Sequence, residues 1–226
     1  MDRIFLTDDP NTFHYVTMVC NRRARVFNDD GSCRILADVI DEIRRKHPLK
    51  LAAYVFMPDH VHAIINPLRP ELSTILNKIK GKSARLIIDR LLGNGDARLL
   101  KRLRLNITGR RFALWQTRSA VVDVRSSKFF SQKTRYIHMN PVRAGLCEKP
   151  GGWKWSSYRA LHPANRERVP LAVDLRYHWL EEEILNGREA KAGSRILIGR
   201  SPDGAARRAA LNGSYVACGL SRAAPA

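Results

Sequence analysis

The order of elements legible in the sequence predicts an α+β chain with a ferredoxin-like β-α-β-β-α-β plan, an antiparallel sheet with helices on one face, and a C-terminal extension. Three observations predict it. Residues 12–20 are a β-branched and aromatic run, and a tight Pro58-Asp59 turn separates two further such runs at 51–58 and 60–67. Residues 33–46 and 71–92 carry apolar residues at helical spacing. Residues 112–124 again read as a strand, and a third helix follows over 126–139.

The elements follow in order. The first strand is TFHYVTMVC, and Arg22 to Arg25 make a basic turn after it. The third helix has Ser126 or Ser127 as its cap. Asn140-Pro141 is expected to end it, because the residue before proline disfavours helical backbone. Between the second helix and the fourth strand, residues 93–111 hold six Lys and Arg side chains and no acid after Asp96. They are expected to form a basic connector or loop. The folded domain is placed at residues 1–165 and the extension at 166–226. After about residue 187 the extension turns Gly- and Ala-rich and basic, the composition of a flexible tail.

Charge narrows the partner. Forty Lys and Arg against 21 Asp and Glu leave a net charge of +19. Such an excess repels itself unless a polyanion shares the surface, and nucleic acid is the usual one. An anionic membrane or ribosomal RNA would meet the same charge. No stretch approaches 18 apolar residues, and the N-terminus lacks a basic region followed by an apolar run. Neither a membrane span nor a signal peptide is expected. The four cysteines form no C-x-x-C pair, which fits a reducing cytoplasm and no zinc knuckle.

Two short constellations carry possible chemistry. In a strand, His60 and His62 face the same side, where two imidazoles can share a divalent ion. Their plain reading is two histidines satisfied by hydrogen bonds. On a helix, Tyr136 and Asn140 share a face, and an amide oxygen suits Mg²⁺ or Mn²⁺. Their plain reading is a half-buried ring and a cap before Pro141. Together they make better sense. Two imidazoles and one amide oxygen leave open positions on an ion for a phosphate oxygen. A phenol is both a nucleophile and a fair leaving group, so a phosphotyrosine keeps the energy of a broken phosphodiester.

The segment YVFMPDHVHAII (54–65) resembles the histidine metal motif of the single-tyrosine HUH transposases. RYIHMNPVRAGLCEKPGGWKWSSYRAL (135–161) resembles the tyrosine helix and following turn of the REP-associated tyrosine transposases. HYVTMVCNRRARVF (14–27) and LWQTRSAVVDVRSS (114–127) extend the similarity, in order, over roughly residues 12–161. The resemblance implies that His60, His62 and Asn140 hold Mg²⁺ or Mn²⁺ and that Tyr136 is the nucleophile. It implies a single-stranded DNA endonuclease and strand transferase that forms a 5′-phosphotyrosine beside hairpins, at repetitive extragenic palindromes of bacterial chromosomes. A monomer or a homodimer, cytoplasmic and nucleoid-associated, would fit that role. Two departures stand out. Where relatives often carry Gly-Phe-Tyr-Asp after Trp-Gln, this chain runs Arg118 to Asp123, and the chain beyond 165 has no counterpart.

Other residues are candidates for holding the nucleic acid. Arg143 lies just past Asn140. Lys78, Lys82 and Arg85 run along the second helix. Trp155, with Trp153 and Tyr158, could stack on unpaired bases. Each has a bland counterpart, as a solvated charge or a ring packing the turn. A non-catalytic binding module with an RRM-like sheet is the alternative reading, and a hydrolase of small phosphates is a third.

Overall fold

The computed structural model describes residues 12–68, 72–107, 110–161 and 169–174. The chain divides into two units, residues 1–158 with 169–173, and residues 159–168 with 174–226. Of the second unit only Arg159–Leu161 and Asp174 are described. The expected flexible tail therefore lies outside the described residues. The folded unit reaches further than residue 165. Leu171 is buried and donates its N–H to the Tyr54 hydroxyl at 3.1 Å, while the Ala172 carbonyl accepts from Arg44 at 2.6 Å.

The first unit follows the predicted plan. Strand β1 (Phe13–Val19) leads through a short turn to α1 (Asp30–Lys46), β2 (Leu49–Met57), β3 (His60–Pro67) and α2 (Leu72–Gly93). The fourth sheet strand and the last helix, Ala120–Val124 and Ser127–Arg143, close the unit. The connector before them is more ordered than its charge predicted. It holds α3 (Ala97–Leu103), β4 (Arg104–Ile107) and β5 (Arg110–Phe112), so the two closing elements become β6 and α4. The local signals were there. Gly95 takes a left-handed turn at φ +67°, Asp96 caps α3 by accepting from the Leu99 N–H at 3.0 Å, and Leu103 is fully buried.

The main sheet is antiparallel in the order β2-β3-β1-β6. Alternation sorts its side chains. Val16 and Met18 of β1, Tyr54 and Phe56 of β2, and Val61, Ala63 and Ile65 of β3 form one core with Leu36 and Ile40 of α1 and Ile75, Ile79 and Ile87 of α2. The two helices of the β-α-β-β-α-β unit thus share one face, as expected. The opposite face carries Phe13, Tyr15, Thr17, Val55, His60 and His62, and α4 packs there. Phe130 meets Phe13 edge-on at 5.2 Å, and the Tyr136 ring lies 5.5 Å from that of His62.

Asp29 ties α1 to α2. Its carboxylate caps α1 at the Ser32 N–H and pairs with Arg90 at 3.1 Å. The Arg90 guanidinium holds that carboxyl down at about 2. A depressed carboxylate contributes stability that is complete above its unfolded value near 3.8 and is lost as pH falls toward 2. Asp29→Asn should therefore flatten the acid limb of a stability–pH curve below about pH 4, read by urea unfolding.

Two expectations on β6 and α4 are corrected. The predicted strand at 112–124 is broken, and only Ala120–Val124 pairs with β1. Residues 113–119 still follow the end of β1, through an isolated Cys20–Trp115 bridge and a 2.9 Å bond from the Gln116 N–H to the Val19 carbonyl. Helix α4 runs through Pro141 to Arg143. Pro141 is buried on the same side as Ile137, so packing outweighs its backbone preference. The stop is Gly145 at φ +67°, where the Gly145 and Leu146 N–H groups return to the Val142 and Pro141 carbonyls.

The WKWSSY turn covers the outer edge of β2. The Phe56 N–H bonds to the Trp155 carbonyl at 2.8 Å, and Trp153 Nε1 donates to the Phe56 carbonyl at 2.9 Å. Trp155 is only 4% exposed, stacks on Phe56 with ring centroids 5.9 Å apart, and donates Nε1 to Asp30 at 2.6 Å. Its assignment as a DNA-stacking residue is therefore corrected: no ring face is open to a base. Trp155→Ala should cost about 3–5 kcal/mol of stability by chemical unfolding, through the cavity it leaves.

Candidate active site

The site starts with register. Thr17 of β1 and Val55 of β2 both stand opposite His62, and Val19 and Met57 stand opposite His60. His60 and His62 project to one side with ring centroids 4.7 Å apart. Each has its Nδ1 engaged. His60 Nδ1 lies 2.6 Å from the Asp59 carboxylate, to which it donates, and Asp59 also receives Arg23 at 3.4 Å. His62 Nδ1 lies 2.8 Å from both the Tyr15 and the Thr17 hydroxyls. With the proton on Nδ1 donating to those oxygens, each ring presents an Nε2 lone pair, the form in which metal-bound histidines are held. Burial keeps His62 neutral, pushing it down to about 3.

Helix α4 brings the rest. Its stripe Lys133, Tyr136, Asn140 and Arg143 repeats at helical spacing, and Tyr136 lies over His62. Tyr136 is 38% exposed, unlike the second phenol of the cluster, Tyr15, at 8%. Burial pushes Tyr15 up to about 12 and its hydroxyl is committed to His62, so it stays protonated. The two tyrosines therefore have different work: Tyr15 orients, and Tyr136 faces solvent. Asn140 Nδ2 is buried without a hydrogen-bond partner. Oxygen and nitrogen of an amide are assigned from their partners, so the two positions of this amide are interchangeable.

This donor set fits a small hard cation. Two imidazole Nε2 atoms, held from behind, and one unsatisfied amide one turn past Tyr136 match what Mg²⁺ or Mn²⁺ accepts. Among the described residues no group of three or more His, Cys, Asp and Glu gathers.

Three contributors were not picked out from the sequence. The Lys133 ammonium lies over the rings of Tyr15, Phe129 and Tyr136, at 4.6, 5.0 and 5.8 Å from their centroids. The helical spacing of Lys133 and Tyr136 was visible, but nothing marked that lysine among many. Tyr15 and Thr17 were readable as same-face residues of β1, but only the register puts them on His62. Arg143 does reach the site, with its guanidinium 5.3 Å from the Tyr136 ring centroid. Lys78, Lys82 and Arg85 do not. They lie on α2, which covers the other face of the sheet, and Lys82 is paired with Glu42 of α1. His138, read as structural, is buried and 2.9 Å from the Ser157 hydroxyl.

If Tyr15 and Thr17 orient His62, the double change Tyr15→Phe and Thr17→Val should weaken Mn²⁺ binding by about 10–100-fold, read by isothermal titration, with the fold retained.

The fold is thus a mixed helical and antiparallel one that sets a histidine pair against a solvent-facing tyrosine. Residues 11–140, more than half of the chain, match the family described as Transposase IS200 like, and the chain belongs to that family. Within it the chain is similar to the REP-associated tyrosine transposase of Escherichia coli (strain K12), with 23% identity over 161 residues, 67% of this chain and 82% of that protein. The fold also matches a solved structure of a REP-associated tyrosine transposase bound to a REP hairpin. That match has a TM-score of 0.52 and 21% identity over 78% of this chain and 93% of the other. Among the described residues no helix is long and apolar enough to cross a membrane.

Proposed function

We propose that this chain nicks and rejoins single-stranded DNA beside hairpins, using Tyr136 as nucleophile and a divalent cation held by His60, His62 and Asn140. The observation that carries it is the juxtaposition of the Tyr136 ring with His62, 5.5 Å apart, on a face where both histidines are oriented through Nδ1. The hairpin-bound relative supports a hairpin substrate, at repetitive extragenic palindromes by analogy.

When bound, Mg²⁺ or Mn²⁺ would polarise the scissile phosphate and ease charge onto the departing oxygen. The chain's own residues do the rest. Tyr136 Oη attacks phosphorus and loses its proton; the Oη–P bond forms as the P–O3′ bond breaks, and the 3′-oxygen leaves as a hydroxyl. The 5′-phosphate stays on Tyr136. A second strand's 3′-hydroxyl reverses these bonds and frees the phenol, so joining needs no outside energy. Lys133 and Arg143 flank the ring and would neutralise phosphate oxygens as charge builds on them. Arg23 and Asp59 hold His60 in orientation.

The RRM-like alternative needs an open sheet face for stacked bases. Here α4 lies on the face opposite α1 and α2, which speaks against it.

The test is to incubate the protein with hairpin-containing single strands and Mn²⁺ and to look for a protein–DNA species that survives boiling in detergent. An adduct that forms with metal and not with a chelator supports the reading. Binding with no adduct under any divalent ion would return the chain to a binding module.

A further inference from the structure

Two consecutive residues of the turn after β1, Arg22 and Arg23, take left-handed backbone, at φ +51° and +52°. That region brings a Cβ too close to the following carbonyl, so a residue with a side chain stays there only when its surroundings hold it. Both side chains are exposed. The hold comes from Arg102 of α3, whose Nε and Nη2 both donate to the Arg22 carbonyl, at 3.0 and 2.8 Å. The helix that carries Arg102 is itself fixed. Asp96 caps it, Leu103 is fully buried, and the Leu103 carbonyl accepts from the Ala113 N–H at 2.9 Å.

The same turn brackets the histidine hairpin. The Cys20 N–H bonds to the Asp59 carbonyl at 2.8 Å, and the Phe27 N–H bonds to the Pro58 carbonyl at 2.9 Å. Between these anchors Arg23 reaches Asp59 Oδ2 at 3.4 Å, while Asp59 Oδ1 lies 2.6 Å from His60 Nδ1. One carboxylate oxygen therefore faces each partner. A cation on Oδ2 leaves Oδ1 turned to His60 and keeps the proton on Nδ1, with the lone pair on Nε2. The Arg23 side chain is 59% exposed, and an exposed pair of this kind contributes only where the backbone has already placed its partners. The left-handed pair does that placing.

We infer that Arg102 is a positioning residue for His60. It holds the Arg22 carbonyl and so keeps Arg22 and Arg23 left-handed. That backbone aims Arg23 at Asp59, and Asp59 then aims His60. In this role Arg102 touches neither the DNA strand nor the cation. The basic connector thus braces the site through backbone geometry, besides the charge it carries. The consequence for metal rests on the reading above that His60 helps hold a divalent cation, whereas the orientation of His60 is a property of the chain alone.

The test compares the full-length parent with Arg102→Ala, Arg22→Gly and the two changes together. Glycine takes left-handed backbone freely, so Arg22→Gly removes the need for a brace at that residue. In metal-free protein, the ring-nitrogen NMR signals of His60 should report one tautomer in the parent, protonated at Nδ1. Arg102→Ala should give a mixture of tautomers, and the double variant should return to one. Mn²⁺ affinity, read by isothermal titration, should fall about tenfold in Arg102→Ala, the scale for groups that orient a metal-bound histidine, and most of it should return in the double variant. A loss caused by missing charge would not return, because glycine adds none. A thermal melt confirms that each variant folds. An unchanged His60 tautomer in Arg102→Ala, or a loss that Arg22→Gly does not restore, overturns the inference. A parent that binds no Mn²⁺ overturns the cation reading instead, and the metal-free signals still decide on Arg102.

Discussion

Changing Tyr136 to Phe is expected to abolish the covalent protein–DNA species while leaving strand affinity within about twofold, because one oxygen is removed and the ring stays. Removing a nucleophile of this kind lowers the chemical step by roughly 10⁴–10⁶-fold. The ring contacts to His62, Tyr15, Lys133 and Arg143 depend on the aromatic face and survive the change. The control is Tyr15→Phe, which removes the other phenol of the cluster. Tyr15 is buried and its hydroxyl lies on His62. That control should slow adduct formation without preventing it, through a looser His62. Adduct formation at the normal rate in the Tyr136→Phe protein, scored on denaturing gels with labelled hairpin strands, would move the nucleophile elsewhere.

The second large effect belongs to the histidine pair. His60→Ala with His62→Ala should end Mn²⁺ binding by titration calorimetry and slow strand cleavage by more than about 10³-fold. Hairpin binding without metal should change little, because the cations around Tyr136 remain. The two positions are not equivalent. The His62 side chain is buried, and its loss leaves the Tyr15 and Thr17 hydroxyls to find new partners, at about 1–3 kcal/mol for a buried polar group left unpaired. The His60 side chain is 15% exposed and leans on Asp59 at the turn, so His60→Ala alone separates metal loss from destabilisation. Cleavage at the normal rate by the double variant would remove the metal from the reading.

Much of the frame was legible because its signals are local. The β-branched runs around Pro58-Asp59 gave a hairpin whose turn falls at those two residues, and the helical spacing over 33–46 gave all of α1 but its first turn. The failures are equally physical. Pro141 looked like a helix end because its backbone preference is local, while the buried contact that overrides it is not. Residues 93–111 looked like a loop because six cations mask one short amphipathic turn and a hairpin. Trp155 looked available because a tryptophan near a functional helix reads the same whether its face is open or stacked on Phe56.

The sequence by itself determined the alternation that puts His60 and His62 on one side of a strand and the helical period that aligns Tyr136 with Asn140. Both follow from the geometry of a single element. Only the tertiary structure decided that these two elements face each other. It also decided that Tyr15 and Thr17 hold His62 from behind, that Lys133 sits over three rings, and that the lysines of α2 lie on the far side of the sheet. Those facts depend on register between strands and on which face a helix covers, which no spacing within one segment encodes.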